Sequence, residues 1–412
     1  MRQQTCAQNR LTFSRVAEPS VPASSTPSHE GSLSSLRPSL QPHLRLFLSA
    51  DIVGSTAFKQ GSDEREWFAV VLRFYQLTEA ELMRHWSLGQ RGATKGNQLN
   101  SLYGEPPSLW KTIGDEVTFS KPLSHPAQAV TTLHAWIAAL AEVRLLLRKH
   151  HLDVKASAWV ADFPLRNREI VLRFGSSASA EVTPLDDDYF HWWNERLLQE
   201  YTEKKGAGLI KDFVGPSIDT GFRLSANASP RKLAISVELA YLLAGEDARS
   251  KDPIYNVGPF LLKPFLFRYD SMIPLKGVLS GAPYPAIWID VLPNEPLHIA
   301  EDELAGVVAP TPLRVRKFAD AYIRAHQAKL CSLYMHSDLV VPDEYSSISQ
   351  ANIQALLNRQ KSYDAQDKAL SNEAQQNEEP DVGSSSLPIT NTAKSITELF
   401  TIFAENLKKA QP

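Results

Sequence analysis

Hydrophobic positions along this chain alternate between two spacings. From Leu44 to Val53 they form a nearly continuous apolar run, which is typical of a buried strand. After Thr56 they recur at mostly three- and four-residue steps, at Trp67, Val70, Val71, Phe74, Leu77 and Leu82. The pattern therefore predicts a first strand followed by an amphipathic helix.

The same two spacings continue downstream. A strand–turn–strand unit is predicted from Leu109 to Phe119, and an amphipathic helix with a core-facing Trp136 from Ala127 to His150. The remaining predicted elements are a strand from Val154 to Ala161, a helix from Trp192 to Lys204, a strand and then a helix between Lys232 and Ala244, a hairpin between Ile273 and Val291, and one or two short helices between Ala300 and Ala328.

Four polar or terminal stretches interrupt this order. Residues 1–42 are rich in Ser and Pro, and we expect them to be disordered. Residues 85–108 carry several Gly and Pro and read as an inserted solvated loop, although Arg91 and Lys95 could reach phosphates. Residues 349–385 are rich in Gln, Asn and Ser and are expected to be largely unstructured, and a terminal amphipathic helix is expected after them.

Composition narrows the class of protein. At 412 residues the chain suggests one large domain with extensions, or two domains. A net charge of -3 argues against a broadly basic surface for nucleic acid or anionic membrane. Cys6 and Cys331 are too far apart in sequence to suggest a metal site or a disulfide framework, which fits a reducing cytosol. Without an apolar run of roughly 20 residues, we expect a soluble cytoplasmic protein.

Two carboxylates stand out because each follows a short apolar run and lies beside a glycine turn. They are Asp51, at the end of the first predicted strand, and Asp115, in the turn of the predicted strand–turn–strand unit. An ionised carboxylate beside a buried strand needs a compensating cation, and Mg²⁺ and Mn²⁺ favour carboxylate ligands. The pair suggests a metal site, whereas for either residue alone an ordinary strand-end turn position is the better interpretation.

The turn after Asp51 adds a second feature. Successive backbone N–H groups of residues 53–56, including Gly54, Ser55 and Thr56, could face a triphosphate at the start of the next helix. An ordinary strand-to-helix turn is the alternative.

An acidic run at residues 186–188 precedes an aromatic segment with His191, Trp192 and Trp193. His191 beside Asp188 could belong to a metal or proton-transfer site. We favour the simpler interpretation, in which the acidic residues stabilise the N-terminal end of the following helix.

Three segments together resemble the class III nucleotide cyclase catalytic domain. They are DIVGST at 51–56, KTIGDE at 111–116 and DFVGPSIDTGFRL at 212–224. The resemblance implies an α+β fold, a ferredoxin-type α/β sandwich with insertions, over residues 43–292. It leaves a helical C-terminal extension at 293–347, a disordered linker at 348–392 and an amphipathic helix at 393–412.

The resemblance also implies an active site with two divalent metal ions, Mn²⁺ or Mg²⁺. Asp51, Asp115 and the backbone carbonyl of Ile52 would bind the metals, and Arg223 would stabilise the transition state. Asp219 stands where the family has Asn, so it either contacts the ribose or pairs with Arg223. The implied nucleotide-binding residues are Phe47, Gly54, Ser55, Thr56, Lys111, Asp212 and Lys276.

In this family the site forms between two chains, so the resemblance implies a homodimer. Lys111 and Asp212 match the positions that select adenine in adenylate cyclases, but the edges of cytosine and uracil offer them comparable partners. A longer resemblance, over SADIVGSTAFK at 49–59, LWKTIGDE at 109–116 and GPSIDTGFR at 215–223, is to the bacterial pyrimidine cyclases of the Pycsar anti-phage system.

That longer resemblance implies conversion of UTP to cyclic UMP and pyrophosphate, and a separate effector that the cyclic nucleotide activates. Cytidylate and adenylate cyclases are the alternatives within the enzyme class. A catalytically inactive cyclase-like regulator that binds a nucleotide is the alternative of another class.

Overall fold

The computed structural model describes residues 33–92, 102–173, 187–203, 208–249 and 264–376. The described residues from Leu36 onward belong to one compact unit, and residues 33–35 belong to another. The strands are β1 (His43–Val53), β2 (Ser108–Ile113), β3 (Glu116–Leu123), β4 (Asp153–Phe163), β5 (Arg168–Arg173), β6 (Leu209–Val214), β7 (Lys232–Ile235), β8 (Phe267–Ile273) and β9 (Tyr284–Asp290).

Helices separate most of these strands. They are α1 (Ser55–Gly61), α2 (Glu64–Gly92), α3 (Ala127–Arg148), α4 (Asp187–Glu203), α5 (Pro216–Leu224), α6 (Val237–Ala248), α7 (Pro296–Ala305), α8 (Pro312–Ala325) and α9 (Gln350–Gln376).

Seven strands form one sheet in the order β2-β3-β1-β4-β7-β9-β8. Neighbours are antiparallel except β4 and β7, which are parallel. Strands β5 and β6 pair separately as a two-stranded antiparallel ribbon. The mixed sheet with helices packed on it confirms the predicted α+β class.

The central strand β1 is buried on both faces because its side chains alternate between two apolar layers. Leu46 and Leu48 belong to the large core beneath α2 and α3, whereas Phe47 belongs to an aromatic cluster on the opposite face. This arrangement explains why the first strand reads as a continuous apolar run. It also determines on which face of the sheet each residue of β1 lies.

Most elements predicted from the spacing are confirmed, including the first strand, the β2–β3 hairpin and the helix with a buried Trp136. Helix α4 begins at Asp187, five residues before the predicted start at Trp192, so Asp187 and Asp188 lie in its first turn, where negative charge is favourable. The ribbon strand β5, beginning at Arg168, was not predicted.

Two predictions of irregular structure are wrong in part. Residues 85–92 continue helix α2 because Trp86 is buried in the core, although Lys95 lies outside the described residues. Residues 350–376 form α9 instead of a disordered linker, with Ile353, Leu356 and Tyr363 buried.

The expectation of disorder is also wrong for residues 36–42, because this segment packs against α9. Leu36 and Leu40 are buried, and Arg37 pairs with Asp364 and, at 2.7 Å, with Asp367. Arg37 also donates its backbone N–H to the side chain of Gln360. The helix and the segment thus give each other partners that neither has locally.

One helix in the described ranges, Ala127–Arg148, is long and apolar enough to cross a membrane by length and composition, and it is mostly buried in the core. Cys331 is buried and free. The expected helix at 393–412 and Cys6 lie outside the described residues.

Candidate active site

Asp51 and Asp115 meet at one end of the sheet. On β1, Asp51 lies opposite Glu116 of β3 on one side and Lys155 of β4 on the other. Asp115 lies in the turn that joins β2 to β3, and Ile52 donates its backbone N–H to the carbonyl of Asp115 at 3.4 Å. Gly114 supplies the left-handed backbone of that turn, with a φ of +65°.

Cationic and hydroxyl groups surround the two carboxylates. Lys155 Nζ lies 3.1 Å from Asp51 Oδ2, and Lys59 Nζ lies 3.4 Å from Asp115 Oδ1. The hydroxyl of Ser55 donates to the other oxygen of Asp115. The carboxylates remain accessible, because the side chains of Asp51 and Asp115 are 28% and 25% exposed.

Burial shifts the titration of two carboxyl groups here. It raises the pKa of Asp51, an effect that Lys155 partly offsets and the charge of Asp115 reinforces. Burial also raises the pKa of Glu116, although a hydrogen bond from the Ser49 hydroxyl opposes the shift. Three neighbouring carboxyl groups at one strand end create a local excess of negative charge that favours a cation.

The donor set suits a hard divalent ion, because it consists of carboxylate oxygens, and Ile52, whose backbone carbonyl is a predicted ligand, lines the same cleft. Within the described ranges, no group of three or more His, Cys, Asp and Glu side chains could hold a metal ion. An ion bound by Asp51 and Asp115 would complete its coordination with substrate phosphates and water, as Mg²⁺ commonly does.

A cleft of about 720 Å³ opens beside the carboxylates. Its walls are residues 51–57, Asp115, Lys155 and residues 228–230. The volume lies within the range of small-molecule sites. Gly54 adopts a φ of +86° where β1 passes into α1, and Gly54, Ser55 and Thr56 line the cleft.

A second cluster joins Lys111 of β2 to Asp212 of β6. Lys111 Nζ lies 3.0 Å from Asp212 Oδ1 and 3.3 Å from Oδ2. The indole N–H of Trp110 donates to the same Oδ1 at 2.9 Å. The Lys111 and Asp212 side chains are 30% and 34% exposed, which leaves room for a ligand.

Helix α5 begins directly after β6 and adjoins this cluster. Gly215, at a φ of +140°, lies so close to the backbone of Asn167 that any Cβ would collide with it. Asn167 is buried and accepts the backbone N–H of Ser217 at 3.0 Å, which satisfies one free amide of the first helical turn. The Phe222 ring lies 5.7 Å from Lys111 Nζ.

Asp219 and Arg223 lie on the exposed side of α5, one turn apart. Among the ion pairs of the described residues there is none between them, and the role of Asp219 stays a prediction. Both side chains face solvent, on the helix whose Phe222 lies near Lys111.

Two other predicted contacts lie elsewhere. Lys276 is exposed in the connection between β8 and β9. The strand registers place that connection at the opposite end of the sheet from Asp51, so a single chain does not bring the two together. Phe47 is wholly buried and stacks on Trp159 at 5.5 Å, so its contact with a nucleotide stays a prediction.

Sequence reasoning missed four residues of these clusters. They are Lys59, Trp110, Glu116 and Lys155, and each adjoins or faces a predicted residue. Glu116 and Trp110 are direct neighbours of Asp115 and Lys111 in sequence, which is a usable signal. Lys155 is opposed to Asp51 only through the β1–β4 register, which no local pattern reveals.

No protein-family model matches this chain, and no curated protein matches its sequence. It is similar to solved structures that include the adenylyl cyclase CyaB from P. aeruginosa, at 13% identity over 60% of this chain and 94% of that one, with a TM-score of 0.36.

Two other similar structures are cyclases as well. The guanylate cyclase domain of RhGC from Catenaria anguillulae in complex with GTP has 10% identity over 60% of this chain and 96% of that one, with a TM-score of 0.35. A bacterial light-regulated adenylyl cyclase has 11% identity over 68% of this chain and 57% of that one, with a TM-score of 0.36.

Proposed function

We propose that this protein is a nucleotide cyclase that converts a nucleoside triphosphate to a 3′,5′-cyclic nucleotide and pyrophosphate. The observation that carries the proposal is the juxtaposition of Asp51 and Asp115 at the wall of an open cleft. A second, separate cluster of Lys111 and Asp212 presents a donor and an acceptor of the kind that a base edge requires.

In the proposed reaction the ribose 3′-oxygen attacks the α-phosphorus. A new P–O bond forms, the bond to the bridging oxygen of pyrophosphate breaks, and the 3′-hydroxyl proton is lost to solvent. Two divalent ions, Mn²⁺ or Mg²⁺, would supply Lewis acidity toward the 3′-hydroxyl and the triphosphate. The chain's own work is to bind these ions through Asp51, Asp115 and the Ile52 carbonyl.

Cationic side chains then neutralise the charge that develops on phosphate oxygens. Lys155 and Lys59, now paired with the carboxylates, would be available to the triphosphate once metal replaces them as counter-charge. Lys111 and Asp212 would hold the base, and Arg223 would stabilise the charge on the phosphoryl group in the transition state. Asp219 would accept a hydrogen bond from a ribose hydroxyl.

We propose that two chains build each site. Asp51 and Asp115 of one subunit would face Lys111, Asp212 and Arg223 of the partner subunit. Arg223 is exposed and forms no ion pair with any described residue, which leaves its guanidinium free to reach the partner subunit's substrate and supports this arrangement. Lys276 fits the same view, because its own chain keeps it at the end of the sheet opposite Asp51.

We propose UTP as the substrate, on the motif resemblance to bacterial pyrimidine cyclases of anti-phage defence. Uracil can offer O4 to Lys111 and N3–H to Asp212. Cytosine and adenine can offer a ring nitrogen and an amino group to the same pair, so CTP and ATP are the alternatives. In this role the cyclic product would act in the cytoplasm on a separate effector.

The test is to incubate the purified chain with each of the four labelled triphosphates and Mn²⁺ and to separate the products. We expect cyclic UMP and pyrophosphate in equal amounts. A dominant cyclic AMP product would overturn the proposed base, and no pyrophosphate from any triphosphate would overturn the enzyme itself.

One observation favours a second candidate, a nucleotide-binding regulator without turnover. Both site carboxylates are already paired with lysines of the same chain, so the cleft could hold a polyphosphate without metal. Tight triphosphate binding in the presence of a chelator, with no pyrophosphate released in Mn²⁺, would favour the regulator.

A further inference from the structure

The pairing of β2 with β3 changes register at Trp110. Leu109 lies opposite Phe119 and Lys111 lies opposite Thr118, so two steps on β2 match one step on β3. Trp110 is therefore the extra residue of a β-bulge. Bulges locally bend a strand and re-aim its side chains, and they are frequent beside functional sites.

The bulge lets two consecutive side chains reach one carboxylate. In a regular strand, Trp110 and Lys111 would point to opposite faces of the sheet. Here Trp110 Nε1 and Lys111 Nζ lie 2.9 Å and 3.0 Å from Asp212 Oδ1. This convergence requires the irregular register and is absent from an ideal β2.

The two oxygens of Asp212 are thereby made unequal. Oδ1 accepts from the indole of Trp110, from Lys111 and from the backbone N–H of Phe213 at 2.9 Å. Within the part of the chain that the structure describes, Oδ2 accepts only from Lys111, at the longer distance of 3.3 Å. Oδ2 is thus the oxygen left to accept a hydrogen bond from a ligand.

The Trp110 ring is itself held in place. It makes edge contacts with Phe47 at 5.2 Å and with Phe213 at 5.1 Å, and it lies 5.9 Å from Phe222. Its face carries the ammonium group of Lys111 at 4.1 Å from the ring centroid, within the range of a cation–π interaction. One side chain therefore orients both members of the Lys111–Asp212 pair.

We propose that Trp110 is a positioning residue that sets base selectivity, by occupying Asp212 Oδ1 and holding Lys111 so that one acceptor and one donor face the base in a fixed order. This proposal rests on the proposed nucleotide site. Without the indole N–H, Asp212 can rotate and offer either oxygen, so bases with different edges are accepted more equally.

The test compares the wild type with Trp110→Phe, which keeps a ring and removes the N–H donor. Binding of 3′-deoxy forms of UTP, CTP, ATP and GTP is measured by calorimetry, because these ligands lack the attacking hydroxyl and report affinity without turnover. Loss of a hydrogen bond to a charged group predicts that the affinity ratio between the best and second-best base falls about tenfold.

The matched control is Trp136→Phe, the same change at a buried indole whose N–H has no hydrogen-bond partner among the described residues. It is expected to leave the affinity ratios unchanged, even if it lowers the midpoint of thermal unfolding. Steady-state kinetics with normal triphosphates should show the Trp110→Phe effect mainly in KM. Trp110→Met removes the same donor with a flexible side chain and carries the test if the phenylalanine variant unfolds.

The outcomes separate the two proposals. If the wild type discriminates among the bases and the Trp110 variants discriminate equally well, Trp110 is not the positioning residue, while the nucleotide site stands. If the wild type binds none of the four triphosphates, the nucleotide site is wrong and this inference is wrong with it.

Discussion

The two halves of the proposed site are built in different ways. The phosphate half, with Asp51, residues 54–56 and Asp115, comes from the end of the central strand and an adjacent hairpin turn. The base half joins Lys111 to Asp212, which are 101 residues apart, through an edge strand and a separate ribbon. The first half is held by hydrogen-bonded strand ladders, and the second by side-chain contacts.

This difference shows which contacts hold each half of the site in place. β1 pairs with a neighbour along both edges, so Asp51 is fixed by the sheet itself. Among the described strands, β2 has β3 on one side only, and β6 pairs only with β5. The base half therefore depends on the buried contacts beneath α5, chiefly the bonds of Asn167 to Asp162 and Ser217.

The largest expected effect is on the phosphate half. Asp51→Asn or Asp115→Asn removes a metal-binding charge and should reduce cyclisation at least about 10³-fold, because phosphate charge is then poorly neutralised. Pyrophosphate release at saturating Mn²⁺ measures it. Asp320→Asn, at an exposed carboxylate paired with Arg324, is the control and should be neutral. Near-normal turnover of either site variant would show that the carboxylates do not bind the metals.

The next largest effect is expected for Arg223→Ala, because Arg223 is the residue of the base half that would stabilise the charge of the transition state. We expect kcat to fall by about 10²- to 10³-fold with KM less affected, as for other groups that stabilise developing charge. Single-turnover rates of product formation measure this. An effect confined to KM would place Arg223 in substrate binding.

Mixing inactive variants tests whether the halves come from different chains. Asp51→Ala protein and Arg223→Ala protein should together regain activity, because a mixed dimer has one intact site. Labelled subunits verify exchange. Mixed dimers that remain inactive would place both halves within one chain.

A smaller effect is expected for Asp212→Asn, which replaces one acceptor oxygen with a donor. Discrimination among the triphosphates should fall about tenfold, while turnover of the best substrate at saturation changes little. The ratio of kcat/KM values among UTP, CTP and ATP measures it. An unchanged ratio would separate Asp212 from base recognition.

The smallest effect on activity is expected for a change at Asp162, which accepts a hydrogen bond from Asn167 beneath the base half. Its effect should appear in the pH dependence of stability. Asp162 is 2% exposed, and burial raises its pKa to about 6. In the unfolded chain the pKa is about 4. The folded protein keeps this proton over a range in which the unfolded chain has lost it, so this group's contribution to stability is lost as pH rises from about 4 to about 6.

Denaturant unfolding across that pH range measures the effect. The variant Asp162→Asn cannot ionise at this position. Between about pH 4 and pH 6 its free energy of unfolding should therefore fall by roughly 2 to 3 kcal/mol less than that of the wild type, which corresponds to a pKa difference of about two. Activity at neutral pH should change little. An unaltered pH profile would mean that other groups cause the pH dependence of the free energy of unfolding.

The sequence by itself determined features that depend on near neighbours. The apolar run of β1, the glycine turn before Asp115 and the helical spacing of α3 each follow from side-chain periodicity and backbone sterics over a few residues. For this reason Asp51 and Asp115 could be predicted as a pair, and 219 and 223 as neighbours on one helix face. The identities of the base-half residues came from motif resemblance and not from any local pattern.

Only the tertiary structure decided what depends on partners distant in sequence. The bulge at Trp110, the lysines beside the carboxylates and the raised pKa of Asp162 arise from strand register and burial, which no window of the sequence contains. Helix α9 likewise depends on partners that are distant in sequence. Its composition is polar, and it gains its partners from Arg37 and Trp192, which lie more than 150 residues away.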